Sequence, residues 1–132
     1  MNAPSLENTI RATLASYAGI RMVILFGSLA TGHERPESDV DLAVDVGRLL
    51  DAESKMALIG KLAERTGRTI DLIDLRTVGE PLLGQILKYG KRLAGDDAIY
   101  AELIKRHVFE EADFMPYYRR ILGERRNAWI AK

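Results

Sequence analysis

Residues 24–44 read Ile24-Leu25-Phe26-Gly27-Ser28-Leu29-Ala30-Thr31-Gly32-His33-Glu34-Arg35-Pro36-Glu37-Ser38-Asp39-Val40-Asp41-Leu42-Ala43-Val44. An apolar run from Arg21 ends at Gly27, the pattern of a short buried strand closed by a turn. Ser28 to Ala30 is predicted to begin a short helix that Thr31-Gly32 ends. A polar connection follows, and Val40, Leu42, Val44 and Val46 then alternate with Asp39, Asp41, Ala43 and Asp45. That period of two predicts a second strand with one apolar face, on whose other face Asp39 and Asp41 stand together. Asp45 extends the same row and is expected to be solvated at the strand's far end.

Working outward, Ser5 caps a first helix running to about Tyr17, with Gly19 as its stop. Asp51 caps another that ends at Gly67, and Thr69 to Leu75 is a third strand. Pro81 fits the first turn of a helix through Tyr89, and Arg92 to Ala94 a brief edge strand. From about Asp97 the pattern is helical to the end. Pro116 is expected to break that run, with Asp113 capping a new helix. The fold class is therefore α/β: a mixed sheet of three to four strands flanked by helices, with a helical tail. The chain reads as one domain, its core at about 20–95 and its tail at about 97–132.

Composition narrows the function. Nineteen basic residues balance nineteen acidic ones, which argues against a strong nucleic-acid binder, whose affinity comes from neutralising many phosphates. With no cysteine, disulfides and thiolate zinc sites are excluded. No signal-peptide pattern opens the chain, and the apolar run Met22 to Phe26 is far below the roughly 20 residues of a membrane helix. A cytoplasmic protein without membrane contact is expected. His33, in the polar connection, reads as a surface residue, and His107, on the late helix, as structural.

The chemistry-bearing residues lie in the opening stretch. Two carboxylates so close on one strand repel each other unless a cation intervenes. Magnesium suits them, being held commonly by one or two carboxylates plus substrate phosphates. Gly27 and Ser28 supply the complement, since backbone N–H groups at a glycine turn entering a helix cradle anions. A third carboxylate is available from Asp71 or Asp74, and strand alternation does not choose between them.

Gly27-Ser28, ten residues, then Asp39-x-Asp41 resembles the signature of the polymerase-β-type nucleotidyltransferase superfamily. The short chain and the Ser38-Asp39-Val40-Asp41-Leu42 phrasing resemble its minimal nucleotidyltransferases (MNT), commonly antitoxins paired with an all-helical HEPN ribonuclease toxin. The resemblance implies that Gly27 and Ser28 hold the ATP phosphates. It further implies that Asp39 and Asp41 bind magnesium as two ions, and that Asp71, the first acid of its strand, is the third carboxylate. It also implies transfer of AMP from ATP to a hydroxyl, a tyrosine of the toxin. Two other readings stay open: a non-catalytic antitoxin that masks its partner, and a nucleotidyltransferase acting on a small molecule or an RNA end.

Overall fold

The computed structural model describes residues 5–32, 35 and 37–130. The elements in order are α1 (Leu6–Ala15), β1 (Met22–Phe26), α2 (Ser28–Thr31), β2 (Val40–Asp45), α3 (Ala52–Thr66), β3 (Ile70–Asp74), α4 (Leu82–Tyr89), β4 (Lys91–Gly95) and α5 (Asp97–Ile130). Four strands form one sheet in the order β3-β2-β1-β4. β1 runs antiparallel to both β2 and β4, while β2 and β3 are parallel. The parallel pair requires a crossover, and α3 supplies it.

Local signals set the helix ends. Ser5 accepts a hydrogen bond from the Asn8 amide at 3.1 Å and starts α1. Asp51 does the same for α3 through the Ser54 amide at 2.7 Å, and Gly67 closes that helix. α1 ends at Ala15 rather than at Tyr17, whose amide bonds back to the Leu14 carbonyl in a closing turn.

The sheet is covered on both faces. Val23, Leu25, Val40, Leu42, Val44 and Leu72 pack against α1 and α3. Met22, Ile24 and Ala43 meet Leu83, Ile86 and Leu103 from α4 and α5. Each large aliphatic side chain buried in this way contributes about 1.5–3 kcal/mol. This corrects the expectation of a single apolar face on β2. Ala43 is fully buried, and Asp45, expected in solvent, is only 8% exposed. Asp45 accepts the Gly47 amide at 2.8 Å, and its own carbonyl accepts from the Arg21 amide at 2.7 Å. Small Ala43 hid the second face from the pattern, because that face is filled by helices distant in sequence.

The tail also differs from expectation. α5 runs unbroken from Asp97 to Ile130, so Pro116 does not end it and Asp113 caps no new helix. A proline removes one backbone hydrogen bond and costs about 3 kcal/mol in a helix interior. In a helix of 34 residues the ladder on either side carries the chain past that local loss. No helix among the described residues is long and apolar enough to cross a membrane.

Two glycines test this packing with opposite sign. At Gly90 a Cβ would fall on the Ile86 carbonyl oxygen and 2.6 Å from Ile24 Cγ2, where α4 passes into β4. Gly90→Ala is expected to destabilise by about 1–3 kcal/mol through overpacking. Gly60, inside α3, has open space around it, so Gly60→Ala should stabilise by roughly 0.5–1 kcal/mol. Denaturant melts of the two variants check both signs.

Candidate active site

The site is assembled at the level where β1 ends. Phe26 pairs with Asp41 across the antiparallel ladder, and Asp41 pairs with Asp71 across the parallel one. Three adjacent strands thus bring the Gly27 turn, Asp41 and Asp71 side by side. Asp39 precedes β2 by one residue and is exposed, as is Asp71, whereas Asp41 is half-buried between them.

Gly27 has φ +74° and ψ −155°, a region essentially closed to other residues. A Cβ there would lie on the Asp41 carboxylate, so the absent side chain is what lets the turn meet that acid. The chain enters α2 at Ser28, with the Ala30 amide bonded to the Gly27 carbonyl at 3.1 Å. The Thr31 hydroxyl bonds back to the same carbonyl at 3.3 Å.

Asp41 carries the electrostatic strain. Its carboxyl is held above the usual range, first by burial and then by the negative charges of Asp71 and Asp39, with a hydrogen bond to Asp71 favouring the protonated form. Asp74 is used differently: its oxygens accept the Leu50 and Arg76 amides, both at 2.9 Å, and so tie down the turn after β3. Of the two acids that alternation left open, Asp71 stands in the row and Asp74 outside it.

The donor set fits a hard divalent cation. Among the described residues no three His, Cys, Asp or Glu side chains close into a metal cage. Instead, an open row of carboxylates has one member that resists ionisation beside the others. Magnesium takes such partial protein coordination, leaving its other positions to phosphates and water. Charge repulsion in the row is what a cation would relieve.

His33 lies outside the described residues. His107 is structural in placement: its Nδ1 meets Glu80 Oε1 at 2.5 Å and its Nε2 meets Glu111 at 3.3 Å, joining α5 to the start of α4. A cleft of about 640 Å³, lined by Arg21, Asp45, Leu103, Arg106 and Phe109, lies at the opposite end of the same sheet face. At the row itself Asp39 and Asp71 are exposed. One polar anchor near it had no signal in the residue pattern: Arg68 Nη1 bonds the carbonyls of Arg35 (3.2 Å) and Ser38 (3.0 Å), just before Asp39. A side chain that bonds distant backbone leaves no trace in local periodicity.

Known proteins are similar to this chain in sequence and fold. A curated relative, the protein adenylyltransferase MntA of Shewanella oneidensis, is 35% identical over 85 residues. The match covers 62% of this chain and spans 61% of that protein's length. The fold is similar to the crystal structure of a toxin–antitoxin with AMP-PNP, at 27% identity and a TM-score of 0.74, covering 88% of this chain and 98% of that one. It is also similar to the structure of a tri-AMPylated Shewanella oneidensis HEPN toxin in complex with MNT antitoxin, at 25% identity and a TM-score of 0.69, covering 89% and 96%. The family model described as polymerase beta, nucleotidyltransferase matches residues 8–99, a span that holds all four strands, the Gly-Ser turn and every acid of the row. This chain belongs to the polymerase beta nucleotidyltransferase family.

Proposed function

We propose that this protein is an antitoxin that transfers AMP from ATP to a tyrosine hydroxyl of a HEPN ribonuclease toxin in the cytoplasm, and so neutralises it. The observation that carries the reading is Asp41 crowded between Asp39 and Asp71 directly against the Gly27–Ser28 turn. That juxtaposition suits gathering a triphosphate and an acceptor hydroxyl at one point. The relatives' names supply the acceptor class: an adenylyltransferase, a complex with an ATP analogue, and a HEPN toxin carrying AMP.

In this mechanism the amides of the turn and the Ser28 hydroxyl hold the β- and γ-phosphates. Asp39 and Asp41, with Asp71, would hold the magnesium ions, which when bound would neutralise the triphosphate and the developing charge at phosphorus. Asp71, exposed at the outer side of the row, takes the proton from the acceptor hydroxyl. The hydroxyl oxygen forms a bond to the α-phosphorus, the bond to the β-phosphate oxygen breaks, and pyrophosphate leaves. The whole chain serves as one minimal domain, and the acceptor protein brings its own surface to an open site, α5 providing part of the contact.

Co-expression with the adjacent reading frame, followed by intact mass measurement, tests the reaction. The partner is expected to gain one or more AMP units only when ATP and magnesium are supplied. A partner bound stably without any gain in mass would favour masking over modification.

The acids separate by role. Asp39→Asn and Asp41→Asn are expected to abolish transfer, and Asp71→Asn to slow it by roughly 10²–10⁴-fold. Asp74→Asn should leave transfer within a few-fold of wild type (on the order of threefold) and lower the melting temperature, since its contacts hold a turn.

Asp41→Asn has a second consequence. A carboxyl whose folded-state pKa is raised favours the folded state when protonated, and that contribution is lost as pH rises through the shifted value. At pH 7 without magnesium, removing the Asp41 charge should therefore raise the melting temperature while transfer is lost. A melting temperature below wild type under those conditions would contradict the crowding account.

A further inference from the structure

We propose that Arg68 is a positioning residue, a guanidinium clip that fixes Asp39 in the carboxylate row. Asp39 lies outside the sheet ladder and is exposed, so neither strand pairing nor apolar packing holds its backbone. On its C-terminal side Val40 is buried, and its amide bonds the Thr69 carbonyl at 2.8 Å, which gives one fixed point. On its N-terminal side Arg35 and Glu37 are exposed, and among the described residues of that turn none has a buried side chain.

Polar bonds hold the turn instead. The Arg35 amide donates to Ser38 Oγ at 2.7 Å, and the Ser38 amide donates to the Arg35 carbonyl at 3.0 Å. Arg68 Nη1 then donates to the Arg35 and Ser38 carbonyls together, at 3.2 and 3.0 Å. Arg68 is half-buried and stands two residues before β3, so its bonds tie the approach to β2 to the approach to β3. These are the two strands that carry Asp41 and Asp71. The clip sets where Asp39 sits relative to both.

Geometry and charge make opposite predictions here. If Arg68 acted only through its charge, removing a cation near three carboxylates would tighten magnesium binding. As a positioning residue, its removal loosens Asp39 and weakens binding, by about tenfold or more as for other groups that orient metal ligands.

Two measurements test the proposal on the full chain. In metal-free protein, amide hydrogen exchange at Arg35 and Ser38 should quicken in Arg68→Ala, with Leu42 and Val44 unchanged. Unaltered exchange at Arg35 and Ser38 would overturn the clip. The second measurement rests on the function proposed above: magnesium for half-maximal transfer should rise about tenfold in Arg68→Ala, with KM for ATP at saturating magnesium within about twofold. A lower magnesium requirement in Arg68→Ala would overturn the proposal in favour of charge alone. Absence of any transfer by the wild-type protein would count against the function, and the exchange result would still decide the clip.

Discussion

Asp41 has to share its place with two other carboxylates and with the backbone of Gly27, and much of the architecture serves to enforce that crowding. Burial already disfavours its charge, and Asp71 and Asp39 add repulsion. A fold free to relax would turn one of these acids outward. This one does not, because Asp41 sits inside a ladder whose neighbouring residues Val40 and Leu42 are fully buried. Rotating the strand to release the acid would expose both, at about 1.5–3 kcal/mol each. The apolar core thus holds an electrostatic conflict that a divalent cation would relieve.

Sheet topology turns that local conflict into a site. With β1 antiparallel and β3 parallel to β2, the end of β1 lies level with the start of both other strands. The Gly27–Ser28 turn at the end of one strand therefore faces acids at the start of two others. Had β3 been antiparallel to β2, its N-terminal residue would pair at the far end and Asp71 would leave the row. The α3 crossover that enforces the parallel pairing is as much a condition of the site as any acid in it.

This division explains what was legible in the sequence. Gly27, Ser28, Asp39 and Asp41 lie within one connection, so their spacing alone announces a turn meeting an acid pair. Strand alternation left Asp71 and Asp74 equivalent, and the resemblance implied Asp71. The geometric distinction depends on which oxygens the Leu50 and Arg76 amides claim, a contact made only once α3 has crossed over. Asp45 read as a solvated acid because α5, which lines the same cleft, begins some fifty residues later. Pro116 misled for the opposite reason: a local rule was applied where a long helix absorbs the local cost. Arg68 had no signal at all, since its partners are carbonyl oxygens, which every residue possesses.

The exposure of Asp39 and Asp71 bears on how an acceptor could be selected. Asp39 and Asp71 are exposed, and the cleft of about 640 Å³ lies at the other end of the sheet face. An enzyme for a small acceptor needs walls of its own, because a concave pocket is what buries and orients such a substrate. Here the two outer acids of the carboxylate row stand exposed. Under the function proposed above, a folded acceptor would supply such a wall by docking, and its hydroxyl would then be oriented by the interface rather than by a pocket. α5, at 34 residues far longer than any strand, extends the surface available for that docking well beyond the sheet. On this view specificity resides in the fit of two protein surfaces, and the site itself needs only to hold ATP, magnesium and one proton acceptor in register.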